Sequence, residues 1–155
     1  MKEIQFSIKE TIIHERVKTE SGFTAQIKAT AGQTPQLSSL TIATDEEARI
    51  LNGYIPSAIN ECIIAINRYL SPCNVTEENE GKEYKKYCFN ILIPHNYPEE
   101  LVESLKNIVT DIISNRCLQQ WYMLVKSDDA NTSAMKAQSS MTLLRETLSV
   151  RKKPE

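Results

Sequence analysis

The sequence predicts a mainly α chain with a small β element: a helical bundle of about four helices beside a two-stranded antiparallel sheet. Two observations carry this expectation. Residues 3–9 and 85–93 alternate apolar and polar side chains with the period of half-buried strands. Four longer stretches, 11–30, 44–72, 97–124 and 128–148, carry apolar residues at helical spacing. A length of 155 residues suits one core, since about 68–70% of an unfolded chain's surface can be buried at this size. A single helical-bundle domain over 1–155 is therefore expected, with a basic C-terminal tail at 150–155.

The composition is ordinary for a globular domain, 41% hydrophobic and 25% charged, and argues against wholesale disorder. A formal net charge of -2 gives no global field that would gather nucleic acid or an anionic bilayer, so any DNA contact must be local. The first ten residues, "MKEIQFSIKE", contain charges throughout and no apolar signal region, so neither secretion nor membrane insertion is expected. Cys62, Cys73, Cys88 and Cys117 match neither a zinc-knuckle spacing nor a short disulfide framework. They are expected as reduced thiols, with Cys62 and Cys117 as small buried hydrophobes.

In "EIQFSIK", Ile4, Phe6 and Ile8 share one face, and in "YKKYCFNILIP" Tyr87, Phe89, Ile91 and Ile93 do the same. The two strands should pair, because an isolated strand leaves its backbone groups unmet. The segment 11–30 has two readings. Ile13, Val17 and Ile27 fit a helix, which is preferred, while Phe23, Ala25 and Ile27 after "ESG" fit the second arm of a hairpin. "AGQTPQLSSL" has no period and reads as a loop.

Thr44 with Glu47 forms a capping box ahead of a long helix whose stripe is Leu51, Tyr54, Ile55, Ala58, Ile59, Cys62, Ile66 and Leu70. Pro56, with Gly53 ahead of it, should bend this helix, and Pro72 should end it. "CNVTEENEGKE" then reads as a polar, acidic turn. The third helix is expected to open at Tyr97 and Pro98, with proline at its first position and Glu99 and Glu100 where the helix dipole favours anions. Its stripe, Leu101, Leu105, Ile108, Ile112, Cys117, Trp121 and Leu124, makes Trp121 a core residue, not a ligand platform.

The last helix takes its cap from Ser127 or Asp128. Ala130, Ala134, Ala137, Met141, Leu144 and Leu148 follow at steps of 4 and 3, a coiled-coil-like seam that fits an antiparallel helical hairpin better than an intermolecular zipper. Arg151, Lys152 and Lys153 then lie at the helix C-terminus, where the dipole favours cations.

Chemical motifs are absent. His14 and His95 have no second ligand at helical or hairpin spacing, so no metal site is expected; His14 is placed on a polar helix face and His95 in a surface turn. No nucleophile elbow, phosphate loop or zinc-protease motif occurs. The carboxylates at Asp45, Glu46, Glu47 and at Glu99, Glu100 are explained as helix N-terminal charges, so no catalytic residue, cofactor or enzyme activity is expected. The nearest approach to a helix-turn-helix has only Lys136 as a cation on its second helix, which argues against a DNA regulator. The one patch with partner meaning is "RETLSVRKKPE", where Arg145, Arg151, Lys152 and Lys153 are the candidate partner or DNA contacts.

The order of these elements, with "TDEE", "LIPHNYPEEL", "LQQWYMLVKSDDA" and "LLRETLSVRKKP" at their junctions, resembles the small head-to-tail connector (neck or adaptor) proteins of tailed phages and prophages of Bacteroides-type bacteria. The resemblance runs from residue 2 to 154. It implies a non-enzymatic structural subunit that forms a homo-oligomeric ring at the portal, joining head to tail around the DNA channel. Portal and neighbouring neck or tail subunits would be the partners, with possible non-specific DNA contact by the basic tail and no membrane. Such a protein would reside in the host cytoplasm during assembly and then in the virion. The loops at 31–43 and 73–84 become candidate subunit contacts. The alternative class is a cytoplasmic helical protein-binding module of regulator or immunity type.

Overall fold

The computed structural model describes residues 1–30, 41–70, 72–81 and 84–153; the expected loop at 31–40 lies outside them. Strand β1 (Lys2–Lys9) turns Ile4, Phe6 and Ile8 inward, as its alternation requires. It runs straight into helix α1 (Glu10–Thr30), so the helical reading of 11–30 holds over the hairpin. Ile13, Val17, Ser21 and Ala25 line the buried side of α1. Ile27 does not: it is 69% exposed, because two residues at about 100° each carry it roughly 200° past Ala25, to the far side of the helix. Ser21 is fully buried with its hydroxyl satisfied, donating to Lys18 O and accepting from Ile42 N. That bond and the burial of Ile42 tie down the chain after the loop, so Ile42 is core and not a free subunit contact.

Thr44 caps α2 (Asp45–Ile50) through Glu47 N, which donates to its Oγ1 at 3.2 Å. The return half of the box differs from expectation, because the Thr44 hydroxyl donates to the Glu47 carboxylate. The expected long helix is in fact interrupted. A 3-10 turn at Leu51–Tyr54 separates α2 from α3 (Ile55–Tyr69), and Pro56 lies in the first turn of α3. Proline starts a new helix here instead of bending an old one, since a first-turn N–H has no intrahelical acceptor to lose. Most of the stripe is as expected, with Leu51, Ile55, Ala58, Ile59, Cys62, Ile66 and Leu70 buried, while Tyr54 is only partly buried.

Among the described residues the sheet has three strands, one more than the sequence predicted. β2 (Cys73–Glu80) occupies the stretch expected as an acidic turn and candidate contact loop, and it pairs antiparallel with β3 (Tyr84–Ile93). Its alternation is faint because only Cys73 and Val75 reach the core. The acidic part projects toward the hairpin end, where Glu77 and Glu78 are paired with Lys85 and Lys86 at 3.4 and 3.3 Å. Gly81, at φ +74°, supplies the left-handed backbone that the turn needs. β3 is central and antiparallel to both neighbours, so β1 and β2 run parallel on either side of it in a split β-α-β arrangement. Phe6 lies opposite Phe89, and their rings stack at 4.8 Å between centroids. One sheet face is thus buried against the helices; the other carries Gln5, Asn74, Thr76 and Asn90.

A 3-10 turn at Glu99–Leu101 leads into α4 (Val102–Leu124). Pro98 stands one place before this turn, so it precedes the helix and is not its first residue. Leu105, Ile108, Ile112, Cys117 and Trp121 are buried as expected, Trp121 at 7% exposure. Val109, Ile113, Leu118 and Tyr122 are buried as well, so α4 is the axis of the bundle, covered on more sides than one stripe suggests. Leu124, expected on the stripe, is 54% exposed because α4 ends there beyond the core.

The α4 terminus closes with Ser127 N donating to Tyr122 O, and Lys126 takes the left-handed position at φ 56°. Of the two expected caps it is Ser127 that binds, accepting from Asp129 N at 3.2 Å to open α5 (Asp129–Leu148). α5 folds back along α4, with Ala137, Met141, Leu144 and Leu148 buried, which is the expected helical hairpin. Lys28 of α1 clamps the turn, reaching Asp129 at 2.6 Å and Asp128 at 3.0 Å.

Candidate basic site

The four predicted contact residues separate into three roles. Arg151 is structural. Its Nη1 donates to Leu148 O at 2.8 Å and Val150 O at 2.7 Å, its Nη2 donates to Tyr69 O at 3.0 Å, and its guanidinium lies 5.5 Å from the Tyr97 ring centroid. It therefore bridges the C-terminal ends of α3 and α5, where carbonyls lack intrahelical partners and the dipoles favour a cation. Tyr97 beneath it is buried, which pushes its hydroxyl up to about 12 against the opposing pull of Arg151, and it donates to Thr147 O. Lys152 is held by its backbone, which donates to Asn96 O, while the side chains of Lys152 and Lys153 are exposed. The helix ends at Leu148, so Arg151 to Lys153 form a short docked segment beyond it.

This assignment has a direct test. Arg151→Ala should cost about 1–2 kcal/mol, the scale of a charge-assisted hydrogen bond discounted for partial exposure. Arg151→Lys should recover only part of it, because a single ammonium cannot span both helix ends. Lys152→Ala and Lys153→Ala should stay within about 0.5 kcal/mol of the parent. Urea denaturation midpoints decide; equal losses at all three positions would remove the clasp.

Arg145 lies elsewhere, in the last turn of α5, and lines a cavity of about 200 Å³ between α3, α4 and α5. Arg68, from the last turn of α3, and Arg116, from the middle of α4, line it too. Arg116 is fixed, its Nε donating to Glu61 at 3.0 Å and its Nη1 to Gln119 at 3.0 Å. Among the described residues neither Arg68 nor Arg145 has a hydrogen-bond or ion-pair partner for its guanidinium. A second cavity of about 190 Å³ shares Glu61 and Arg116 with the first and adds Tyr54, Ser57, Gln119 and Gln120. Sequence reasoning missed Arg68 and Arg116. A last-turn cation on α3 mirrored by one on α5 was the available signal, but only the packing of three helices brings them to one place.

His14 corrects a further expectation. It is 4% exposed, not on a polar face, and Nε2 donates to Asn52 Oδ1 at 2.6 Å while the Tyr84 ring meets it edge-on. Because α1 starts directly after β1, its second turn is pressed against the 3-10 turn and the start of β3. Glu10, also buried, accepts from Lys85 N in the same corner. His95 is exposed, with the N-terminal ammonium 3.4 Å away.

All four cysteines are free. Burial pushes Cys73 up to about 11 and Cys117 up to about 12, and raises Cys62 further still, so these thiols are protonated and poorly nucleophilic at neutral pH. Among the described residues no group of three or more His, Cys, Asp or Glu is placed to hold a metal ion, and no helix is long and apolar enough to cross a membrane.

Comparison with protein-family models, curated proteins and solved structures yields no match.

Proposed function

We propose that the chain is a non-enzymatic structural subunit of a phage or prophage neck, a ring-forming protein that joins the portal to the tail around the DNA channel. One observation carries this reading beyond the order of elements. β1 and β2 are the two outer strands of the sheet and face away from each other across β3. Their charges differ: β1 carries Lys2, Glu3 and Lys9, with Lys2 bonded to Glu99, whereas β2 carries Glu77 and Glu78, bonded to Lys85 and Lys86 of β3. A head-to-tail ring needs two unlike patches on opposite sides of each subunit. The exposed Lys152 and Lys153 side chains would then face DNA or the portal surface.

Prophage induction in cells that encode the chain, followed by density-gradient banding and mass spectrometry, tests the reading. The protein should co-band with tailed particles at ring-like copy number. Its recovery only in the soluble fraction would defeat the proposal. That result would favour a cytoplasmic helical module holding one protein partner. The observation on its side is the apolar exposure at the far ends of α1 and α4, at Phe23, Ile27, Met123 and Leu124.

A further inference from the structure

We propose that the cavity between α3, α4 and α5, together with the adjoining one between α4 and the start of α3, forms a binding site for a phosphate monoester on a small neutral polar body, such as a nucleoside or sugar. This inference does not rest on the ring reading.

Charge defines the first compartment. Three guanidinium groups, Arg68, Arg116 and Arg145, face one carboxylate, Glu61, over an apolar floor of Ala65 and Met141. The balance is +2, which matches a phosphate monoester, whose charge is about -1.5 to -2 at neutral pH, better than a carboxylate or a phosphodiester at -1. The dipoles of α3 and α5 account for a cation at each helix end. They do not account for Arg116, which lies mid-helix, or for all three lining one cavity. Arg116 is already oriented by Glu61 and Gln119, and those two bonds use only two of its five N–H donors. Arg68 and Arg145 have no partner for their charge among the described residues. The site thus combines a pre-set donor fork with two uncommitted ones, the geometry in which arginine recognises phosphate.

The second compartment defines the body. It meets the first at Glu61 and Arg116 and is lined by hydroxyl and amide groups, Tyr54, Ser57, Gln119 and Gln120, with no further cation among the described residues. Neutral hydrogen-bonding groups next to an anion site fit a polar, uncharged ligand body, with the Tyr54 ring available to cover a flat face. Volumes of about 200 and 190 Å³ bring the pair to the lower end of the roughly 300–1,000 Å³ typical of small-molecule sites. A nucleic-acid backbone is the poorer fit, because successive phosphates call for cations along a ridge and these three line a single hollow.

The experiment is a titration of the full chain, followed by calorimetry and amide chemical shifts, with adenosine 5′-monophosphate and glucose 6-phosphate. Adenosine, glucose, the phosphodiester 3′,5′-cyclic AMP and a single-stranded oligonucleotide without terminal phosphate are the comparators. Saturable binding of at least one monoester is expected, roughly tenfold or more above its unphosphorylated parent and above the cyclic diester. Affinity should fall as the pH drops below about 6, where the phosphate dianion takes up a proton and becomes the monoanion. Arg68→Gln and Arg145→Gln should each weaken it by about tenfold, while Lys152→Gln leaves it unchanged. Thermal melts establish that the variants remain folded, and Arg145→Lys, which keeps the charge but loses the fork, should bind at an intermediate level. The proposal is overturned if no monoester saturates at millimolar concentration. It is equally overturned if the arginine variants bind like the parent, or if the oligonucleotide competes for the same arginines as tightly as the monoester.

Discussion

Phe89→Ala is expected to lower the stability of the folded chain by about 3–5 kcal/mol, the cost of removing a large buried aromatic side chain and leaving its cavity. The ring is fully buried at the centre of β3, stacked on Phe6 and facing the helices. With native domains stable by about 5–15 kcal/mol, this one change should bring the unfolding midpoint close to physiological conditions. The residue next along shows the contrast. Asn90 points to the opposite sheet face, and Asn90→Ala should stay within about 0.5 kcal/mol of the parent. Urea denaturation of both variants reads the difference; similar losses at 89 and 90 would mean that the sheet's inner and outer faces are misassigned.

The second large effect is alkaline. Cys62, Cys73 and Cys117 are buried, and desolvation raises each thiol above its usual value near 9, Cys73 to about 11 and Cys117 to about 12. Above pH 9 the unfolded chain gives up these protons while the folded chain retains them. The unfolded state then binds fewer protons, so stability falls with rising pH. The contribution is complete below about pH 9 and is lost progressively toward the folded values, at a rate of at most about 1.4 kcal/mol per pH unit for each thiol. Tyr87 and Tyr97, raised to about 12 chiefly by burial, extend the loss above pH 10. The urea midpoint should drop steeply between pH 9 and 11, and Cys117→Ala should flatten part of that slope. A midpoint unchanged between pH 8 and 10 would contradict the burial of these thiols.

Local sequence carried the elements whose signal is local. β1 and β3 were legible from strict alternation, α2 from the Thr44 and Glu47 box, and the α4–α5 hairpin from the seam that ends at Leu148. β2 was hidden because an edge strand with two inward apolar residues looks like a turn when its acids are counted without their cross-strand lysines. Pro56 reads as a bend in the sequence because proline at a helix start and proline in a helix interior are the same letter. His14 and the arginine cavity were beyond reach for a different reason. The burial of His14 follows from where Tyr84 and Asn52 arrive, and Arg68, Arg116 and Arg145 are 48 and 29 positions apart in the sequence, so only tertiary packing brings them together. Of the four predicted contact residues, one belongs to that cavity, one is a clasp, and two remain exposed.

The central place of β3 also fixes the order of events as the chain is made. β1 leaves the ribosome first, yet the strand it pairs with lies far along the sequence, with Ser7 and Cys88 separated by 81 residues. At translation speeds of about 5–20 residues per second, β1 waits roughly 4–16 seconds for a neighbour. Throughout that delay Ile4, Phe6 and Ile8 form a short apolar alternation in a nascent chain, the kind of segment that pairs with the wrong strand. Lys2, Glu3 and Lys9 stand at its ends as charged gatekeepers, guarding the earliest-made strand until the last-made strand of the sheet emerges.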